Sequence, residues 1–205
     1  MHREALTPNG QGIFPLLAKF KDFYLAGGTA LALQIGHRLS VDFDLFTPEK
    51  LAANVLGRAE IIFTGKTVQP LTNNRDELTI LADRTKITFL HYPFPILRDL
   101  VELAGQRMLS VPELSATKAY TIGRRGTFKD YVDLYFTLSE KHITFSQLLK
   151  LAEKKYDEMF NPRLFLEQLV YLEDIQDTQI QFLKNPVAKL DIQKYFEQEI
   201  KKLNI

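Results

Sequence analysis

Residues 23–46, FYLAGGTALALQIGHRLSVDFDLF, carry more candidate chemistry than any other stretch of the chain. Asp42 and Asp44 stand one residue apart in a segment that reads as a strand. Strand alternation sends both carboxylates to one face and Phe43 and Leu45 to the other. Two like charges so close repel, and a cation between them removes that penalty, so the pair points to a divalent metal. Mg²⁺ fits best, because it takes oxygen ligands and is at home beside phosphate.

Upstream, Tyr24 and Leu25 run into Gly27 and Gly28, and Thr29 opens an apolar helix over 30–35. Glycines let backbone approach a ligand closely, and the free amides of a first helical turn attract an anion. Thr29 adds a hydroxyl. A Gly-Gly pair alone reads as a tight strand-to-helix turn, and a lone Asp-x-Asp as a loop or capping pair. The ordered combination of Gly-Gly-Thr, short helix and strand-borne Asp-x-Asp is much rarer than either part.

This combination resembles the signature of the nucleotidyltransferase superfamily that includes DNA polymerase β. Gly27-Gly28-Thr29-Ala30-Leu31-Ala32-Leu33, Gly36-His37-Arg38, Ser40 and Asp42-Phe43-Asp44-Leu45-Phe46 resemble, within it, the AbiEii/AbiGii toxin family of minimal nucleotidyltransferases. A second block, with Lys118, Arg124-Arg125-Gly126 and Lys129-Asp130-Tyr131-Val132-Asp133-Leu134-Tyr135, is similar to that family's Lys-Asp-x-x-Asp motif. The resemblance covers roughly two-thirds of the chain. One departure stands out. The superfamily usually carries a third carboxylate on a later strand, and in the segment Lys86-Ile87-Thr88-Phe89-Leu90-His91 the expected position holds Thr88.

The resemblance implies an enzyme that moves an NMP unit from an NTP to an acceptor and releases pyrophosphate. Asp42 and Asp44 would hold Mg²⁺, while Gly27, Gly28 and Thr29 cradle the phosphates. Lys118, Lys129 or Arg125 would offset charge on the leaving pyrophosphate. Asp130 or Asp133, three apart and so on one helix face, would orient or deprotonate the acceptor hydroxyl and supply the charge missing at Thr88. Arg38 and Ser40 are supporting candidates; His37 reads as structural. The resemblance further implies the toxin of a toxin–antitoxin or phage-defence pair, with a cognate antitoxin as partner and RNA, transfer RNA 3′ ends in particular, as acceptor. Two rival readings are a nucleotide-binding regulatory module of the same fold that has lost turnover, and a kinase-like phosphotransferase that releases NDP.

Composition sets the outer bounds. The 205 residues are 45% hydrophobic, enough for a real core. With no cysteine there is no disulfide or thiolate metal site, and the four histidines are scattered. The first ten residues, MHREALTPNG, lack the apolar stretch of a signal peptide, and no run is long enough to span a membrane, so the expected location is cytoplasmic. A net charge of +1 rules out a global nucleic-acid-binding field, and any RNA contact must be local, best at Arg124, Arg125 and Lys129.

The elements that position these residues follow from periodicity. A helix is expected over 14–23, with Leu16, Leu17 and Phe20 on one face, and another over 49–60. Strands are expected at 67–69, 78–81 and 87–90, with turns at Asn73-Asn74 and Asp83-Arg84. From Pro112 the pattern turns helical: 113–124, 128–139, 146–156, 163–173 and 191–203. Leu148, Leu149, Ala152 and Tyr156 form one apolar stripe, and Leu164, Leu166, Leu169 and Val170 another. The fold class is therefore α+β: a nucleotidyltransferase-like mixed β-sheet with flanking helices over 1–110, followed by a C-terminal helical bundle over 111–205. That bundle is expected to pack on the first domain and complete the active-site cleft.

Overall fold

The computed structural model describes residues 1–203, apart from the side chain of Arg125. It divides into two compact units, Met1–Ser110 and Val111–Ile205. The first holds α1 (Pro8–Leu17), β1 (Tyr24–Ala26), α2 (Gly27–Ile35), β2 (Phe43–Thr47), α3 (Val55–Ile62), β3 (Val68–Asn73), β4 (Glu77–Ala82), β5 (Thr85–His91), β6 (Val101–Leu103) and β7 (Gln106–Met108). The second holds α4 (Val111–Arg125), α5 (Phe128–Ser139), α6 (Phe145–Tyr156), α7 (Pro162–Val170) and α8 (Lys189–Lys201). The architecture is α+β, with a mixed sheet and C-terminal helices.

One seven-stranded sheet, in the order β3-β4-β5-β2-β1-β7-β6, organises the first unit. β2 runs antiparallel to β1 and parallel to β5, which brings segments more than forty residues apart into register. Aromatic side chains fill one face: Phe89 lies 4.8 Å from Phe20 and 5.2 Å from Phe23 by ring centroid, and Phe43 stacks on Phe14 of α1 at 6.4 Å. On the other face Phe46 stacks on Tyr92 at 4.5 Å and meets Tyr24 edge-on at 6.2 Å. Such pairs add about 0.5–1.5 kcal/mol each beyond the area they bury.

Three expectations need correction here. The first helix covers Pro8–Leu17, not 14–23, because its start is set by the Thr7 side chain, which accepts the Gly10 N–H, and by Pro8 at the first helical position. The helix expected over 49–60 begins only at Val55. The β6–β7 hairpin was not foreseen: its strands have three residues each, too few for alternation to show, and its turn places Ala104 and Gly105 at positive φ. By contrast, β3, β4 and β5 form where expected, and Asp83 and Arg84, both at positive φ, make the two-residue turn between the last two.

In the helical unit, helix starts are set by side chains. Thr127 and Asp130 form a capping box at α5, Thr144 and Gln147 another at α6, and Asn161 accepts the Leu164 N–H at α7. Leu148, Ala152 and Tyr156 are buried as expected, but on α7 the buried face is Phe165 and Leu169, whereas Leu164 is exposed. Between α4 and α6 an ion pair, Lys155 Nζ to Glu113 Oε2 at 2.6 Å, has no solvent exposure on either side chain.

That pair gives a stability prediction. Glu113→Ala strands the Lys155 ammonium in the core and should cost about 3–5 kcal/mol. Replacing both at once, Glu113→Leu with Lys155→Met, should recover most of that loss. Urea denaturation of both variants measures it, and a single variant within about 1 kcal/mol of wild type would show that the pair matters little.

Candidate functional site

β1 passes into α2 without a loop. Ala26, the last strand residue, is extended and caps the helix with no side-chain hydrogen bond. Gly27 follows at φ +66°, a conformation that costs a residue with a side chain of order 1–3 kcal/mol. Because β1 and β2 are antiparallel with Ala26 opposite Asp44, that glycine is pressed against the aspartate. A Cβ built on Gly27 would lie 2.1 Å from Asp44 Oδ2 and 3.0 Å from its Cγ. The Asp44 carboxylate therefore rests on the backbone at the start of α2, where amide groups and the helix dipole favour negative charge.

Asp42 and Asp44 are not both strand-borne. β2 begins at Phe43, so Asp44 is its second residue, half-buried, while Asp42 precedes it and is exposed. Asp42 is held through its backbone instead: its carbonyl accepts the Thr29 hydroxyl. Thr29 Oγ1 also lies 2.7 Å from Ser40 Oγ, and both residues are buried. Thr29 and Ser40, expected beside the nucleotide, are thus joined to each other and to the Asp42 backbone. They tie the first turn of α2 to the segment entering β2. Arg38 is buried too, and one of its guanidinium nitrogens donates to the Leu39 carbonyl at 3.2 Å. His37 has no solvent exposure, in keeping with a structural role.

Thr88 of β5 lies directly beside Asp44 in the parallel β2–β5 register, on the same face. Beyond it Thr79 of β4 and Thr72 of β3 continue the row. Sequence reasoning singled out Thr88 but missed Thr79 and Glu77, whose place on this face becomes visible only from the register of β4. Among the described residues, no group of three or more His, Cys, Asp or Glu side chains is placed to hold a metal ion. An ion at Asp42 and Asp44 would take its remaining ligands from substrate and water, as Mg²⁺ habitually does.

In the helical unit Lys118 of α4 meets two carboxylates of α5. Its Nζ lies 2.7 Å from Asp130 Oδ1 and 2.7 Å from Asp133 Oδ2. Asp130 Oδ2 accepts the Thr127 N–H at 2.8 Å and the Thr127 hydroxyl at 2.9 Å, so one carboxylate both caps α5 and orients the lysine. Asp133 has no solvent exposure, while Lys118 and Asp130 are nearly buried. Neither aspartate pairs with Lys129, which is half-exposed and forms no ion pair among the described residues. Burial, then the charge of Asp130, pushes the Tyr131 phenol up to about 12, and it stays a neutral donor to the Gln168 carbonyl at 3.1 Å. Arg124 lies over the Tyr120 ring at 4.4 Å. The expected nucleotide contact at Arg125 concerns a side chain outside the described residues.

The family model for the nucleotidyl transferase AbiEii toxin of type IV toxin–antitoxin systems matches residues 11–94, from α1 to just past β5. A relative from Aquifex aeolicus, itself uncharacterised, is 32% identical over 187 residues, 88% of this chain and 87% of that one. The chain belongs to the AbiEii nucleotidyltransferase toxin family. Two solved structures share the fold of this chain at low identity. MenT4, described as a nucleotidyltransferase toxin of Mycobacterium tuberculosis, is 18% identical with a TM-score of 0.62, covering 89% of this chain and 75% of that one. JHP933 of Helicobacter pylori is 18% identical with a TM-score of 0.55, covering 98% and 97%. The matched segment contains Gly27, Gly28, Asp42, Asp44 and Thr88. Nucleotidyl transfer is therefore the reaction class to which the family belongs. No helix among the described residues is long and apolar enough to cross a membrane.

The contact between Gly27 and Asp44 is directly testable. Gly27→Ala must displace the carboxylate as well as strain the backbone, and should lower stability by more than the 1–3 kcal/mol of order expected from φ alone. Asp44→Ala in the same chain should return part of the loss, because the nearest clashing atoms are removed. A thermal-denaturation double-mutant cycle reads the coupling, and strictly additive effects would contradict the geometry.

Proposed function

We propose that this AbiEii-family chain is a Mg²⁺-dependent nucleotidyltransferase that transfers NMP from an NTP to an RNA acceptor, and acts as the toxin of a toxin–antitoxin pair. The observation that carries the reading is the Asp44 carboxylate seated on Gly27 at the start of α2, with Asp42 exposed beside it. In this reading Asp42 and Asp44 hold Mg²⁺ and the amides of Gly27 and Gly28 face the triphosphate. When bound, the ion neutralises charge between the carboxylates and the phosphates. Thr29, Ser40 and Arg38 support the site by fixing the backbone that presents it.

The chemistry needs little more than alignment and charge. An acceptor hydroxyl attacks the α-phosphorus, the bond to the β-phosphate oxygen breaks, and pyrophosphate leaves with the electron pair. Lys118 is proposed to offset that charge, held in one orientation by Asp130 and Asp133, with Lys129 and Arg125 as further cations. The two aspartates then act on the lysine, in addition to the acceptor role read from the sequence. A transfer RNA 3′ end is the acceptor proposed here, and a cognate antitoxin is the partner a toxin implies.

The alternative, a nucleotide-binding module of the same fold without turnover, is favoured by one observation: Thr88, a residue that cannot be anionic, stands beside Asp44. One assay separates the readings. Purified protein, labelled NTPs, Mg²⁺ and bulk transfer RNA should yield labelled RNA and pyrophosphate. NTP binding without pyrophosphate supports the inactive module, and NDP release supports a phosphotransferase. Asp44→Asn should reduce transfer by at least about 10²-fold while the protein stays folded, and unchanged transfer by both Asp42→Asn and Asp44→Asn would reject the site.

A further inference from the structure

We propose that the acceptor RNA strand runs across the open face of β5, β4 and β3 beside Asp42 and Asp44, with its backbone phosphates bound by Lys86 and Arg84. The inference rests on the nucleotidyl-transfer reading above and concerns two residues given no role there.

The sheet register lays out the surface. Parallel pairing of β2 with β5 starts at Phe43 and Ile87, so the residues just before them, Asp42 and Lys86, stand at the same end of the ladder. Lys86 lies two residues before Thr88, the partner of Asp44, and so on the face that carries Asp44. Antiparallel pairing continues the row from Lys86 to Leu81 of β4 and Gln69 of β3. On the opposite face Ile80, Ala82, Ile87 and Phe89 have no solvent exposure, whereas Lys86 and Gln69 are exposed and Leu81 is half-buried. One face is sealed, and at this row the other is open. The row ends in a cavity of about 500 Å³ lined by Thr67, Gln69, Leu81, Asp83, Arg84 and Asn9.

Charge selects the occupant. Lys86 and Arg84 are exposed and form no ion pair or hydrogen bond among the described residues. The carboxylates of β4 and its turn are already engaged: Asp83 pairs with Lys66 at 2.9 Å and accepts the Thr67 N–H at 2.9 Å, and Glu77 accepts the Thr79 hydroxyl at 2.6 Å. Two uncommitted cations beside a hydroxyl and an amide, Thr67 and Gln69, are the groups that bind phosphodiester oxygens. The row of Lys86, Leu81 and Gln69 holds no aromatic ring on which a base could stack, so binding there is by charge and indifferent to base identity. Strand order then decides between the two phosphate-bearing substrates. β2 lies between β5 and β1. The start of α2, which faces the triphosphate in the reading above, follows β1 on one flank of Asp44, and Lys86 stands on the other. A nucleophile attacks the α-phosphorus from the side away from the leaving pyrophosphate, so the strand that crosses β5 is the acceptor and not the triphosphate.

The test measures binding of bulk transfer RNA to the full chain between about 50 and 200 mM salt, with NMP transfer and melting temperature as separate readouts. Lys86→Met and Arg84→Gln should each weaken RNA binding about 3–10-fold at the low-salt end and reduce the slope of log affinity against log salt by about 0.7, the double variant by about 1.4. The KM for RNA should rise in parallel, while the KM for NTP, kcat at saturating RNA and the melting temperature stay at wild-type values. Lys154→Met, which removes the same charge from an exposed position on α6, should leave the slope unchanged. Wild-type RNA affinity in the double variant, an equal loss in Lys154→Met, or a rise in the KM for NTP alone would each overturn the proposal. If wild type labels RNA and the double variant binds RNA normally, the acceptor path alone falls. If wild type binds RNA but makes no labelled product, the transfer reading falls and the salt slopes still decide the path. A wild-type chain that does not bind transfer RNA overturns the path outright.

Discussion

The first unit depends on one close approach: a glycine backbone against a carboxylate. Gly27 can sit where it does because it lacks a Cβ and accepts φ +66°, and Asp44 can sit where it does because Gly27 leaves the space. The antiparallel pairing of β1 with β2 places Ala26 opposite Asp44, and the absence of a loop before α2 turns the next residue onto the aspartate. A shift of one residue in that pairing would turn Asp44 to the aromatic core face. The register is therefore tied to the site by burial: Phe43, Leu45 and Phe89 must stay inside, and Asp44 comes out beside the start of α2 as a consequence.

Around this contact hydroxyl groups do structural work that leaves the backbone amides for other partners. Thr29 binds the Asp42 carbonyl and Ser40, and the Ser40 N–H donates to the Ala5 carbonyl at 2.8 Å. The His2 N–H donates to the Leu33 carbonyl at 2.8 Å near the other end of α2. His2 packs against Gly36, which takes φ +63° at the helix C-terminus. The N-terminal residues and the link from α2 to β2 thus clamp a nine-residue helix at both ends. So short a helix has little stability of its own, and fixing its axis requires tertiary bonds of this kind.

The parts of this that were legible in the sequence are those with a local cause. Alternation gave β4 and β5, apolar periodicity gave the five later helices, with α7 ending at Val170 rather than 173, and the order of Gly-Gly, helix and Asp-x-Asp pointed to the strand-to-helix site. The parts that were not legible have non-local causes. Nothing in the chain shows that Ser40 and the Asp42 carbonyl will be folded onto Thr29. The first helix was displaced because Leu16, Leu17 and Phe20 have helical spacing, while the Thr7-Pro8 start signal lies upstream of that stripe. Glu77 drew no notice, since only strand register puts it within reach of Thr79 and, through it, Thr88.

The two units use carboxylates in opposite ways, and the difference is set by solvent. At Asp42 and Asp44 one carboxylate is exposed and the other half-buried, and the start of α2 lies against Asp44. At Asp130 and Asp133 the cation is built in: Lys118 sits 2.7 Å from each, and burial makes the three groups interdependent. Removing either aspartate there changes the position and the charge environment of the lysine at once. A loss of activity in such a variant therefore cannot be assigned to the carboxylate alone. Lys118→Met, which removes the charge but keeps much of the side-chain volume, separates the two contributions: it leaves two buried carboxylates without their shared cation. If Lys118 works on substrate charge, the double variant Lys118→Met with Asp133→Asn regains stability but not turnover, because the buried imbalance is relieved while the cation is still missing.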